Sequence, residues 1–476
     1  MPFVPARRSL WLCTGGAVLW LAALAYAHLG AVGYHVVFRF LIGAFAVVLG
    51  TAFLRGPNRL LLLSPLYLIG CLFLIFYSWV PAVFAAIAVP NPGWGPAEKL
   101  TVAGVGGGAE AIALQFAAFC LLAAAIVHAI LRSVDSRRSS EAAPDRPPDR
   151  WLFNVAAAAA LGLAMLAVAI RWVPALQAAV GGFDARQVTD GLAPLASLCV
   201  AIVGYSGAHA NRHAAGLASA VVVVCVALLL ASNLAETPLY IGFSVLGTMA
   251  LKAHSFRWHK GLAISVSGSL AVLLTVALLS AAFLRGALPP LPTAKAVSLY
   301  LQDVLVRKLV LREGVPVGCM QAILSGTASP ERSGDPFYFR FAVVPRVLWP
   351  DKPSLSLGSE YGARFCGNPE ARATGHSESI TLIGEPLLHG GMSGLAVAQA
   401  TLAAVLGLVT IIGSTGGPLR SIALTAMLPW LMAFDQHFAF YLANAIKTFL
   451  YMMPFLAILW WLAMRAEAKS ARRSLS

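Results

Sequence analysis

Apolar residues run along this chain in blocks of about 20, the length that carries a helix across a bilayer core. Polar residues gather at the joints between blocks. Read by hydropathy, about twelve spans fall at 9–28, 34–54, 60–88, 109–131, 151–171, 191–208, 216–234, 237–252, 261–284, 388–413, 421–441 and 445–464. Helices satisfy their own backbone groups in lipid, so the pattern predicts an all-α polytopic bundle. The third block is long enough to tilt or kink, and Pro81 marks the place. The first block lacks a small-residue cleavage site and reads as a retained span. No internal repeat is visible, which counts against an inverted-repeat transporter.

Charge adds an orientation. Arg7 and Arg8, Arg55 and Arg59, the run from Arg132 to Arg150, Arg212, Lys252 with Arg257 and Lys260, Arg420, and the Arg465–Arg473 cluster all fall on one side. The positive-inside rule makes that side cytoplasmic, with both termini inside. Residues 133–150, rich in Ser, Pro and Asp, read as a linker. The domain reading is an N-terminal bundle over 1–284, a large outer loop over 285–387, and a C-terminal bundle over 388–476.

Composition agrees: 59% of the 476 residues are hydrophobic and 11% charged, with mean hydropathy +0.78. A soluble chain could not hide that much apolar surface. The net charge of +14 reads as topology signal and contact with anionic lipid, and no basic domain outside the spans argues for nucleic acid. Cys13, Cys71, Cys120, Cys199 and Cys225 lie in apolar blocks and read as small core residues. Cys319 and Cys366 both fall in the outer loop. On an oxidising side they can close it as a disulfide; otherwise they are two free thiols. No cysteine spacing resembles a zinc site, and no metal or other cofactor is expected.

The outer loop carries the candidate chemistry. It holds eleven basic residues between Arg285 and Arg372. Residues 295–312 read as an amphipathic helix, lying at the lipid surface or packed on the bundle. In the stretch from Val344 to Pro353, three prolines restrain the backbone around Arg346 and Lys352, and Trp349 suits a membrane boundary. Fixed cations at headgroup depth suit a phosphate; the competing reading is an ordinary proline-rich turn. His376 and Glu385 are the candidates for proton transfer, and Gly390, Gly391 and Gly394 allow close backbone approach. Arg39, Arg171, Arg186, Asp435, His437 and Lys447 lie in or beside spans, where ionisable groups are costly unless they serve a site or snorkel.

Arg340, then Val-Pro-Arg-Val-Leu-Trp-Pro-Asp-Lys-Pro at 344–353, then His-Ser-Glu-Ser at 376–379, Gly384-Glu385, and Gly390-Gly391-x-x-Gly394 form a pattern. Over residues 337–394 this pattern resembles the Wzy-type oligosaccharide repeat-unit polymerases of O-antigen and exopolysaccharide assembly; elsewhere the match is in topology. The resemblance implies a bacterial inner-membrane enzyme with a GT-C-like layout, a large periplasmic loop and metal-independent glycosyl transfer. Its donor would be a glycan on undecaprenyl diphosphate, its acceptor a lipid-linked repeat unit, and its neighbours a chain-length regulator and a flippase. Arg346, Arg340 and Arg364, assisted by Lys352, would steady the leaving diphosphate, with Arg39 and Arg171 also on the substrate. His376 or Glu385 would take the proton. O-antigen ligases share the layout. Polyprenyl-monophosphate-sugar transferases resemble one another in acidic first outer loops, and residues 28–35 contain no Asp or Glu. A lipid-oligosaccharide transporter would set its charges along a central path. An exosortase-like protease pairing Cys366 with His376 rests only on closeness in sequence.

Overall fold

The computed structural model describes residues 4–29, 34–55, 61, 64–87, 105–138, 150–179, 185–208, 212–231, 293, 295, 312–325, 337–344, 349, 351, 357–374, 378–415 and 418–475. Among these the chain is helical and has no strand. Seven helices among the described residues are long and apolar enough to cross a membrane: Ser9–His28, His35–Leu54, Pro65–Val83, Gly108–Ser133, Leu152–Ile170, Thr381–Ser414 and Phe438–Leu459. Shorter apolar helices lie at Leu192–Ser206, Gly216–Val226, Val315–Leu324 and Leu419–Leu431. By length and composition this is a multi-pass helical membrane protein. Leu10, Trp11, Val18, Phe40 and Val47 are each more than 60% exposed on helix faces, as lipid-facing side chains would be. The expected spans at 237–252 and 261–284, and the expected amphipathic helix over 295–312 apart from its ends, lie outside the described residues.

The chain forms two compact units. The first comprises Met1–Glu141, Ser298–Ile411 and Leu431–Asn444. Its centre is the helix Gly108–Arg138, whose span is 78% buried, against which Val4–Leu29, His35–Arg55 and Pro65–Leu74 pack. Small residues on its faces permit that closeness. A Cβ on Gly70 would stand 3.0 Å from Leu121 and 3.2 Å from the Ala117 carbonyl. In the second unit, Ala142–Val297, Ile412–Trp430 and Ala445–Ser476, the helices Arg150–Trp172, Ala185–Ala208 and Arg212–Ala231 pack together. There the Ser197 hydroxyl donates to the Ala426 carbonyl at 2.8 Å.

Three local features position the site. The third span widens into a π-turn at Ile75–Trp79, with the Val80 N–H reaching the Ile75 carbonyl. Pro81 follows, lacking an N–H and clashing with a carbonyl four residues back in an α-helix; the wide turn accommodates it. The second feature is a break. The helix Pro418–Leu431 stops and Phe438–Leu475 begins after a turn, so the block read as one span over 421–441 is divided. Phe434, 1% exposed, fills that turn, its ring 5.4 Å from Phe76 and 5.5 Å from Tyr77. The third is Gly391, with φ 59° and ψ −145°, which interrupts Thr381–Thr415. Only glycine adopts that backbone readily. Just beyond, a Cβ on Gly394 would fall on the Pro386 carbonyl oxygen. A short helix, 381–390, is therefore folded closely against the start of the helix that follows Gly391, and the helical stretch Thr381–Thr415 as a whole begins earlier than the span expected from residue 388.

Candidate functional site

The polar stretch is built around an apolar cluster of its own. Helix Arg312–Leu324 supplies Val315, Cys319 and Ile323; helix Gly358–Phe365 supplies Tyr361 and Phe365; Cys366, Ile380 and Leu388 complete it. Cys319 and Cys366 form a disulfide across the cluster, so of the two readings of that pair the structure has the bridge. Helix Arg312–Leu324 also packs on Gly108–Arg138, on the π-turn and on Val80–Ile87. The stretch is thus anchored to the bundle. Gln321 Oε1 accepts from the Ala109 N–H at 3.0 Å, satisfying a free donor at a helix start. Met320 Sδ accepts from the Thr381 hydroxyl at 3.6 Å. The same hydroxyl oxygen accepts from the Ile383 and Gly384 N–H groups at 3.3 and 3.4 Å, capping the short helix while Thr381 sits at φ 70°.

Glu385 lies inside this assembly, 2% exposed. Its Oε1 accepts from the Tyr361 hydroxyl at 2.9 Å, and its Oε2 from the Tyr338 hydroxyl at 3.0 Å and the Ala439 N–H at 2.8 Å. Ala439 is the second residue of Phe438–Leu475, so the carboxylate also meets the positive end of a helix dipole. Burial, and then the Glu385 charge, push both tyrosine hydroxyls well above the ordinary phenol range. They stay protonated and donate. Tyr338 stacks on His389 with ring centres 4.2 Å apart. Phe339 meets Phe438 edge-on at 4.9 Å, and Tyr361 meets His437 edge-on at 5.4 Å.

The cations fall into distinct settings. Arg340 is exposed at the start of the one-turn helix Arg340–Val343, its guanidinium 4.9 Å from the Phe341 ring centre. Phe341 and Trp349 meet edge-on at 5.5 Å. Arg364 is 38% exposed and paired with Glu360 at 2.6 Å. Arg39 is buried in its span, bonded through Nε to Glu110 at 2.7 Å and to Ser78 at 3.0 Å, with Nη2 2.6 Å from Glu110. Ser78 donates to Glu110 from the π-turn, and the Gly106 N–H donates to the other carboxylate oxygen at 2.7 Å. Arg39 thus has its counter-charge inside the protein. Arg171 belongs to Arg150–Trp172, in the second unit; its side chain, and those of Arg186, Arg346, Lys352 and His376, lie outside the described residues. Lys447, also in the second unit, stands 5.6 Å from the Tyr451 ring centre.

Sequence reasoning singled out Arg39 and Glu385 but missed their partners Glu110, Ser78, Tyr338 and Tyr361. A signal existed for Glu110: it is the acid at the start of the fourth span, and a buried arginine needs an anion nearby. The tyrosines carried none, since only the fold brings residues 338, 361 and 385 together. These features define a multi-pass helical membrane protein with a folded, disulfide-closed polar cap. Compared with protein-family models, curated proteins and solved structures, the chain matches none.

Proposed function

We propose that this protein polymerises undecaprenyl-diphosphate-linked oligosaccharide repeat units into O-antigen or exopolysaccharide, at the periplasmic face of a bacterial inner membrane. The observation that carries the reading is the polar cap itself. Residues 312–388 have an apolar core, a disulfide and bonds to the bundle, while Arg340 and Arg364 stay at its surface. A segment kept only as a connection would not need that construction.

In the proposed reaction, a hydroxyl of the acceptor repeat attacks the anomeric carbon of the donor glycan. The new glycosidic C–O bond forms as the bond to the lipid diphosphate breaks, and the diphosphate leaves with the electron pair. Arg346, Arg340 and Arg364, with Lys352, stabilise the charge that grows on it. His376 or Glu385 takes the hydroxyl proton. No metal or nucleotide sugar is needed, because the donor arrives activated on its lipid.

The test is polymerisation by the purified protein in lipid nanodiscs, given lipid-linked repeat units and no lipid A acceptor. A ladder of lengthening glycans is expected, and Arg346→Ala should slow it by roughly a hundredfold or more. Silence without lipid A and transfer in its presence would make the protein a ligase instead. Normal polymer from a variant lacking Arg340, Arg346 and Arg364 would end the proposal.

A further inference from the structure

We infer that Glu385 is the positioning residue of the proposed site, tying the two segments that carry Arg340 and Arg364 to the start of the helix Phe438–Leu475, and is not the base. For what is being positioned, this rests on the polymerase reading; for the joint, it rests on geometry alone.

Tyr338 lies two residues before Arg340, and Tyr361 one helical turn before Arg364. Both hydroxyls end on one carboxylate, and the Ala439 N–H ends there too. Each segment makes a second contact with the same helix start: Phe339 against Phe438, and Tyr361 against His437. At its C-terminal end, the Arg364 helix is tied by Cys366 to Cys319. Two segments separated by some twenty residues therefore share one anchor, and the cations they display are held in a common frame.

The same contacts exclude a proton-accepting role. A carboxylate has about four acceptor positions, and three are filled by donors from the protein. The group is 2% exposed, so an acceptor hydroxyl has no direct access to it as the site stands. Glu385 thus acts through Tyr338 and Tyr361.

The experiment uses the full chain in nanodiscs with Tyr338→Phe, Tyr361→Phe and Glu385→Gln. The phenylalanine variants keep the ring packing, so the inference stays testable even where the glutamine variant fails to fold. Hydrogen exchange is followed in 337–343 and 358–365, and kcat and KM for the lipid-linked repeat are followed from pH 5 to 9. Loss of one bond to a buried charged acceptor should raise exchange roughly tenfold in the segment concerned. Tyr338→Phe should loosen 337–343 alone, Tyr361→Phe should loosen 358–365 alone, and Glu385→Gln should loosen both. KM for the repeat should rise more than kcat falls, with the shape of the pH profile kept. Native exchange in both segments of Glu385→Gln would overturn the inference, as would loss of one limb of the pH profile in that variant. If exchange responds as stated but even the unaltered protein makes no polymer, the joint stands and the polymerase reading falls.

Discussion

A buried arginine is tolerable only where its charge is answered, and Arg39 is answered by Glu110, with Ser78 and the Gly106 N–H completing the carboxylate's shell. Breaking such a pair from one side leaves an unpaired charge in low dielectric and costs about 3–5 kcal/mol, whereas removing both charges is often neutral. Arg39→Met or Glu110→Gln alone should therefore unfold the first unit at markedly lower temperature. The double variant should recover most of the loss, because the Gln carbonyl can still accept from the Gly106 N–H while its amide NH2 donates to the Ser78 hydroxyl oxygen. A thermal-unfolding double-mutant cycle in nanodiscs measures this directly. It also separates two roles: a stable double variant that still polymerises means the Arg39 charge serves the bundle, and one that binds no repeat means it serves the substrate. The sequence pointed to Arg39 because a cation in an apolar block is conspicuous. It pointed to the pairing only indirectly: Glu110 is the acid that opens the fourth span, but two spans lying side by side are what bring it to Arg39.

Among the elements, the interrupted helix Thr381–Thr415 decides where Glu385 sits. At Gly391 a side chain would be forced into backbone space that residues with a Cβ occupy at a cost of about 1–3 kcal/mol. Gly391→Ala should lower thermal stability by that order, although nothing lies within 4 Å of the added carbon. Gly162→Ala, which also meets nothing and sits in an ordinary helix, should be neutral or slightly stabilising. Equal effects at the two positions would remove the backbone explanation. The spans at 9–28, 34–54, 109–131 and 151–171 were legible to within a few residues, since each is a long apolar run with charged flanks. The π-turn was foreshadowed by Pro81. The break at 432–437 was not legible: Asp435, Gln436 and His437 are its polar signal, but the apolar runs on either side read as one block, and Phe434 is fixed only by packing against Phe73, Phe76 and Tyr77. Helix Arg312–Leu324 was hidden as well: its apolar run is too short to span, and its role depends on tertiary partners.

For the whole molecule, the proposed function requires the polar cap to face an oxidising compartment outside the cytoplasm. An outer placement of 285–387 is also what the distribution of short basic loops leads one to expect. The Cys319–Cys366 bridge, which spans 47 residues of chain, would persist only where thiols are oxidised. Closing a loop of that length removes unfolded-state entropy worth about 4 kcal/mol, so the bridge is a large part of what keeps so small a core ordered. With the five other cysteines, Cys13, Cys71, Cys120, Cys199 and Cys225, replaced by alanine, intact bacteria carrying the protein in their inner membrane provide the test. A thiol-reactive polymer tag should leave the denatured chain unshifted, and treatment of the cells with a membrane-impermeant reductant should produce a two-tag shift. Cys319→Ser with Cys366→Ser should then weaken the cap: faster proteolysis within 312–380 and a lower unfolding temperature, with the spans still inserted. Two tags without any reductant would place the cap in a reducing compartment, away from the lipid-linked repeats it is proposed to join.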